Sequence, residues 1–411
     1  MMSKLQELID TLCPDGVEYK RLGEFATVIR GSGLQKNDFT ENGVGCIHYG
    51  QIYTYYGAFT YETKSFVSPA LAEKLKKVSK GDLVVAVTSE NVEDVCKCVA
   101  WLGDDEIVTG GHSAIIKHNQ NPKYLSYYFQ SEMFFKQKRK VAKGTKVIEV
   151  APKKLEEITI PVPPLEVQSE IVRILDNLTE LTTELTTELT TELTAREQQY
   201  SYYRDSILPF ESNIEWKSLG EIATIVRGAS PRPIKNFITD AVDGVNWIKI
   251  GDVSPKSKYI TTTKERITQE GAIKSRYVKE GDFILSNSMS FGRPYILKTS
   301  GCIHDGWLSI SNFEKYVTSD YLYFILVSSR IQKEMRQKAS FGGAVQNLNA
   351  DIVRGIEIPL PPIEEQQRIV DILDRFGKLC NDISEGLSAE IEARQKQYEY
   401  YRDKLLTFKE I

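Results

Sequence analysis

Two short stretches carry side chains suited to gripping a polar ligand rather than to breaking bonds. Arg30-Gly31-Ser32-Gly33-Leu34-Gln35-Lys36 and Arg227-Gly228-Ala229-Ser230-Pro231-Arg232-Pro233 each follow an apolar run that reads as a strand, and Lys235 lies just beyond the second. Arginine presents a planar fork to guanine edges, Gln and Asn pair with adenine, and Lys neutralises phosphate. A loop holding a fork, small residues and a cation is therefore equipped for a nucleic-acid groove. Tyr49, Gln51, Tyr53 and Tyr55 alternate as along a strand or loop. Amide and hydroxyl groups do the same in Ser286-Asn287-Ser288-Met289-Ser290, with Arg293 close behind. The competing reading of both segments is an ordinary polar edge strand. Arg232, Arg293 and Gln51 have the best side-chain chemistry for base edges.

Cations also gather at helix ends. Lys136, Lys138, Arg139, Lys140, Lys143 and Lys146 close a helix and enter a loop at Gly144. Arg330, Lys333, Arg336 and Lys338 lead in the same way to Gly342-Gly343. Lys138 matches Arg336, and Lys140 matches Lys338, which favours phosphate contact over a merely solvated helix face.

Bond-making chemistry leaves no such trace. The chain lacks the Gly-x-x-x-x-Gly-Lys-Ser/Thr run that holds nucleotide phosphates. It lacks the Asn/Asp-Pro-Pro-Phe/Tyr tetrapeptide that amino-methyltransferases place at the target base, and Leu208-Pro209-Phe210 reads only as a helix exit. His48, His112, His118 and His304 have no metal-ligand spacing, so no metal is expected. Cys96 and Cys98 are one residue apart and read as small residues on one face of a strand. Six scattered cysteines without paired spacing suit free thiols in a reducing cytoplasm. Trp247 and Trp307 read as core residues.

The elements that position these groups occur twice. Lys20-Arg21-Leu22-Gly23-Glu24 through Arg30-Gly31 returns as Lys217-Ser218-Leu219-Gly220-Glu221 through Arg227-Gly228. Ile158-Thr159-Ile160-Pro161-Val162-Pro163-Pro164-Leu165-Glu166 returns as Ile356-Glu357-Ile358-Pro359-Leu360-Pro361-Pro362-Ile363-Glu364. Ile171 to Asp176 returns as Ile369 to Asp374, and Ala195 to Asp205 as Ala393 to Asp403. The offset is near 198 residues throughout. Each half reads as a strand-rich α+β segment with one helix, near 122–140 or 319–338, followed by a long helix after a Pro-Pro stop.

The long helices show one narrow apolar stripe each. Ile174, Leu178, Leu181, Leu185, Leu189 and Leu193 match Ile372, Phe376, Leu379, Ile383, Leu387 and Ile391. Steps of three and four give a coiled-coil seam, and a lone helix with such an edge needs a partner. The simplest partner is the other copy, antiparallel, with the globular domains related by a pseudo-twofold axis. Within the first helix, Leu178-Thr179-Glu180-Leu181 is followed by three Thr-Thr-Glu-Leu units over 182–193. Their Leu stripe marks them as helix rather than low-complexity linker.

The net charge of −4 at first argues against a nucleic-acid partner. The acid is concentrated in the helices. Residues 165–208 carry a net of −6 and residues 363–411 a net of −3, which leaves +5 for the remainder. No apolar run is long enough for a membrane span, and the N-terminus does not read as a signal peptide.

Two variable globular segments, each closed by Pro-Pro-Leu/Ile-Glu and a helix ending in Tyr-Tyr-Arg-Asp, resemble the specificity subunits of type I restriction–modification enzymes. The run Ala389 to Leu406 and the tetrapeptide array are similar to that family's C-terminal helix and spacer repeat. The resemblance implies an N-terminal segment 1–19 and target-recognition domains at 20–164 and 209–362. The spacer helices then fall at 165–208 and 363–411. It implies a non-catalytic chain that reads two half-sites of double-stranded DNA across an unread gap. It further implies two methyltransferase subunits as partners, together with restriction/translocase subunits. S-adenosylmethionine, ATP and Mg2+ belong to those partners, with no cofactor in this chain. The other functional classes open to the sequence are a free-standing methyltransferase with degenerate motifs and a coiled-coil scaffold without DNA contact.

Overall fold

The computed structural model describes residues 4–210, 214–253, 257–287, 291–342 and 345–411. The chain divides into two compact units, Met1–Leu189 with Ala389–Ile411, and Thr190–Ser388. Each unit holds one globular domain, the start of the long helix that follows it and the end of the other long helix. The two helices are continuous over Leu165–Ile207 and Ile363–Leu405, so the Thr-rich array is helical throughout.

In the first unit a five-stranded sheet runs Ala26–Arg30, Ser113–His118, Leu83–Ala86, Cys98–Trp101 and Phe59–Thr60 in spatial order. Leu83–Ala86 and Cys98–Trp101 are buried at every position. An uninterrupted apolar run is what a strand covered on both faces requires. A second sheet runs Phe39–Thr40, Ser65–Val67, Val44–Ile47, Ile107–Thr109 and Lys76–Val78. Tyr19–Arg21 pairs with Thr159–Pro161 and closes the domain end to end.

The second unit repeats these three sheets strand for strand, while its remaining two-stranded sheet pairs Ser340–Gly342 with Val345–Asn347. Its sheets run Thr224–Arg227, Trp307–Ser311, Phe283–Ser286, Pro294–Leu297, Tyr259–Ile260, and Ile238–Thr239, Glu265–Ile267, Val245–Ile248, Gly301–Ile303, Arg276–Val278. Trp216–Ser218 closes it against Glu357–Pro359. Trp307 and Trp247 lie in the core, as read from sequence.

Three expectations about elements are corrected. The single helix read near 122–140 is two helices, Pro122–Tyr128 and Glu132–Val141, and the one near 319–338 is Ser319–Val327 and Ser329–Lys338. In each case a serine hydroxyl restarts the helix, Ser131 accepting from Phe134 N and Ser328 from Ile331 N. The stretch Tyr49–Thr54 is a helix rather than a strand, because His48 Nδ1 accepts from Gly50 N and Gln51 Oε1 accepts from His48 N. Cys96 sits at a positive-φ turn, outside the strand that Cys98 begins. Burial pushes both thiols up to about 12, so neither is a nucleophile at neutral pH.

The stripe is also redistributed. Leu175 and Leu373 are fully buried, together with Val167, Ile171, Ile369 and Val370. The helix starts therefore dock on their domains' cores through neighbouring positions, while Leu181 is 62% exposed, Leu379 57%, and Ile372 and Ile383 38% each. In the first unit Ile174 and Leu178 lie beside Tyr401 and Leu405, and Thr179 shares a 3.1 Å hydrogen bond with Tyr398 Oη. That is an antiparallel register. In the second unit Phe376 meets the rings of Tyr200 and Tyr203 at 5.6 Å each.

Paired polar staples hold each domain to its helices. Gln168 accepts from Asn121 N at 3.0 Å and donates to Pro163 O at 2.8 Å. Gln366 accepts from Thr318 N at 2.9 Å and donates to Pro361 O at 3.0 Å. Within Tyr-Tyr-Arg-Asp, Asp403 accepts from Glu132 N at 3.3 Å and Asp205 from Ser329 N at 3.2 Å. Each carboxylate therefore sits at the positive end of a helix, where negative charge is favoured. The tyrosines of both motifs face outward.

Among the described residues, no helix is long and apolar enough to cross a membrane.

Candidate nucleic-acid interface

In the first domain, the strand Ala26–Arg30 delivers Arg30 to a cluster of loops. Arg30 Nε donates to Gly111 O at 3.1 Å, and its guanidinium meets Glu149 at 2.8 Å. Gly31 passes so close to Gly110 O that no Cβ fits between them. Glu149 lies on a hairpin with Lys143, the two residues exchanging backbone hydrogen bonds of 2.9 and 2.8 Å. Gly144 has φ +121° and faces Val147 O, so the turn requires glycine. The hairpin strand Ile148–Glu149 pairs with Thr88–Ser89. Thr88 Oγ1 is 2.8 Å from His112 Nδ1, and the Tyr49 ring lies 4.8 Å from that of His112. Arg30, Tyr49, His112 and the 143–147 turn thus share one end of the domain.

The second domain builds the same corner from different side chains. Arg227 Nε donates to Asp305 O at 3.0 Å, and Gly228 packs against His304 O. Ser230 donates to Asp305 Oδ1 at 2.8 Å, and Arg232 reaches Asp305 Oδ2 at 3.4 Å. The Ser230 hydroxyl foremost, with Arg232 adding to it, holds the Asp305 carboxyl below the usual carboxylate range. Burial lowers His304, which stands beside them. These residues, with Trp247 and Lys249, line a shallow cavity of about 320 Å³. Arg232 is 82% exposed at its rim, and Lys235 is exposed on the turn Ile234–Asn236.

The residues singled out from sequence divide accordingly. Gln35, Lys36, Lys140, Lys143, Lys146, Arg227, Arg232, Lys235 and Arg336 are exposed. Lys338 is exposed too, but pairs with Glu334 at 2.6 Å. Arg293 is half-buried, and its carbonyl accepts from Ser286 N. Ser288 and Gly343 lie outside the described residues.

Three assignments give way to structural roles. Lys138 is only 4% exposed, and its ammonium donates to Glu93 O at 2.8 Å and Val95 O at 2.7 Å. Burial depresses its pKa, so it braces a loop rather than a phosphate. Periodicity hid this, because its match Arg336 is exposed. Gln51 uses its carbonyl for His48 N and its amide for Ser65 Oγ at 2.6 Å. Asn287 is buried, donating to Asp305 O at 2.9 Å. Sequence reasoning missed His112 and Asp305, which have no repeat partner of their own type to flag them, and gave Ser230 no role of its own within the candidate loop.

The chain matches the family model of the type I restriction modification DNA specificity domain twice, over residues 14–195 and 211–393. It is 38% identical over 301 residues to the putative type I restriction enzyme specificity subunit S.HindORF215P of Haemophilus influenzae, covering 71% of this chain and 74% of that one. It is 38% identical over 269 residues to the EcoR124I/EcoR124II specificity subunit of Escherichia coli, covering 61% of this chain and 63% of that one. Its fold is like that of a chain from structural work on complex assembly and conformational transition of the type I R–M system. That likeness has TM-score 0.75 at 19% identity, over 96% of this chain and 98% of that one. The crystal structure of the HsdS subunit from Thermoanaerobacter tengcongensis is similar at TM-score 0.51 and 19% identity, over 97% and 99%. Neither a free-standing methyltransferase nor a scaffold without DNA contact finds support in these likenesses. With the specificity domain present in both halves, the chain belongs to the type I restriction–modification DNA specificity family.

Proposed function

We propose that each unit presents its loop corner to one half-site of a bipartite duplex target, and that the chain makes no bond itself. The observation that carries this reading is the twofold recurrence of one device. An arginine at the end of a strand is tied through Nε to the carbonyl of a neighbouring loop, at Gly111 or Asp305. Different polar groups then fill the two corners. A shared frame with different side chains suits two half-sites of different sequence. The exposed cations Lys36, Lys140, Lys143, Lys146, Lys235 and Arg336 fix register on phosphates, and Arg232 reaches a base edge.

The partners are two methyltransferase subunits, held by the long helices and their outward tyrosines, and restriction/translocase subunits that join them. S-adenosylmethionine, ATP and Mg2+ serve those partners. The site of action is the cytoplasm, in keeping with six free thiols.

Exchanging residues 20–164 for the first domain of another family member tests the reading. Mapping of methylated adenines in a host carrying the whole system is expected to show one changed half-site and one unchanged. Changes in both would refute independent reading.

The lysines separate by exposure. Replacing Lys143 and Lys146 by Ala should weaken binding on all sequences alike and reduce the salt slope by about 0.9 for each phosphate no longer neutralised. Lys138→Met should leave that slope unchanged while lowering stability by roughly 1–3 kcal/mol, since the buried carbonyl of Val95 and the part-buried one of Glu93 lose their donor. Fluorescence anisotropy of the complex on DNA across a salt series reads the first effect, and thermal unfolding the second.

A further inference from the structure

We infer that Arg232 and Asp305 together read one G·C pair in the half-site of the second unit, the arginine taking guanine and the carboxylate taking the amino group of its cytosine. The inference rests on the reading of the loop corners proposed above. Arg232 Nη2 lies 3.4 Å from Asp305 Oδ2. Among the described residues that guanidinium has no other hydrogen-bond partner, and Oδ2 no other donor. In the major groove guanine shows two acceptors, N7 and O6, and cytosine one donor, N4. O6 and N4 are hydrogen-bonded to each other across the pair, so they lie about 2.9 Å apart. A donor and an acceptor at 3.4 Å therefore meet an acceptor and a donor at nearly the same spacing, with a second N–H of the fork left for N7. An A·T pair offers a similar alternation at N6 and O4, but its thymine gives the fork one acceptor instead of two.

A phosphate is the rival ligand for an exposed arginine, and the charges disfavour it. The Asp305 carboxylate is ionised at neutral pH, because the Ser230 hydroxyl, 2.8 Å away, holds it below the usual range. A phosphate brought to Arg232 comes equally to that carboxylate, and the pair offers it no net charge. His304 does not restore one, since burial lowers its pKa and its Nδ1 accepts from Gly306 N at 2.8 Å. Lys235, exposed on the next turn and without an ion pair among the described residues, is the group left for phosphate.

The frame holds the pair still. Asp305 O accepts from Arg227 Nε at 3.0 Å and from the buried Asn287 Nδ2 at 2.9 Å. Pro231 and Pro233 fix φ on either side of Arg232. The first unit has no such reader. Arg30 pairs with Ala114 as Arg227 pairs with Leu308, so three residues earlier Gly111 stands where Asp305 stands. Five residues beyond each arginine, Gln35 stands where Arg232 stands. The device therefore belongs to one half-site alone.

The test uses the complex of the full chain with its methyltransferase subunits. Exchange of residues 209–362 for another member's second domain, with mapping of methylated sites, identifies the half-site concerned. Anisotropy is then read on duplexes with each pair of that half-site changed in turn, and on the parental duplex with 7-deazaguanine, which lacks N7, at each guanine. Arg232→Ala should lower discrimination at one G·C pair by about tenfold or more and abolish the response to 7-deazaguanine there. Every other position, the salt slope and the thermal midpoint should stay as they were, because Arg232 is 82% exposed. Asp305→Ala should lower discrimination at the same pair. A second half-site without a G·C pair overturns the proposal. So does a loss shared equally by all duplexes with a lower salt slope, which marks a phosphate contact. If the domain exchange leaves both half-sites unchanged, the reading of the corners falls and takes the proposal with it. If the exchange alters one half-site while Arg232→Ala alters no position, only the proposal falls.

Discussion

Deletion of Thr186-Thr187-Glu188-Leu189 shortens the unread gap of the target by one base pair and leaves both half-sites unchanged. The segment lies inside one continuous helix, so four residues remove about 6 Å of rise and turn the rest of that helix by about 40°. One base pair of duplex rises about 3.4 Å and turns about 34–36°. Rotation therefore matches one base pair, and bending of the helices or the DNA takes up the excess length. The helix survives because Leu takes the place of Leu in register. The threonine hydroxyls are satisfied within the helix, Thr186 and Thr187 donating to the carbonyls of Thr182 and Thr183 at 2.8 and 2.7 Å. The expected effect is all-or-none: parental sites lose methylation, and sites with the shorter gap gain it. Sequencing of modified bases decides the matter, and an unchanged gap or altered half-site bases would show that another element sets the distance.

Leu175→Asp should abolish assembly of the first unit, and Leu373→Asp that of the second. Both leucines are fully buried where a long helix enters its domain's core. Truncating such a side chain costs about 2–5 kcal/mol, and an unpaired carboxylate in the same place adds several more. That total approaches the whole stability of an ordinary domain. Seam positions chosen from the sequence stripe alone are poorer targets. Ile383 is 38% exposed and Leu185 is only half-buried, so Asp there stays in reach of water. Leu181→Asp, more exposed still, should change folding stability by no more than about 0.5 kcal/mol. Yield of soluble complex and the thermal midpoint separate the two classes, and equal effects at Leu175 and Leu181 would contradict the burial argument.

The repeat made the architecture legible. A second copy at constant offset marks both long helices, their Pro-Pro entries and the shared strands before Arg30 and Arg227. Periodicity also identified the stripe, but it cannot tell which neighbouring position turns inward, and Leu175 rather than Ile174 is the fully buried one. The interface was legible only in part. Residue type pointed to Arg232 and to the lysines of the 143–147 turn. It failed where a polar side chain had a covert structural partner. Lys138 satisfies two carbonyls some 45 residues away, and Gln51 caps the helix it stands on. Such long-range and capping bonds leave no local pattern. The breaks at Ser131 and Ser328 lie between strongly helical stretches and went unread for a related reason. A single hydroxyl decides them.

The first unit is built from two pieces of chain, its last strip being Ala389–Ile411. Val17 pairs with Glu410, Tyr19 Oη donates to Phe408 O, and Leu406 completes its core. The second unit draws on one uninterrupted stretch, Thr190–Ser388. During synthesis the later-encoded unit therefore has all its residues first. The earlier-encoded one waits, with the seat of its closing helix empty, while about 200 further residues are added. Closing so wide a loop is the slow step that long-range contacts impose. In this chain the N-terminal domain is the last to receive all its residues, and truncation after residue 388 leaves the second unit's stretch entire and the first without its closing strip.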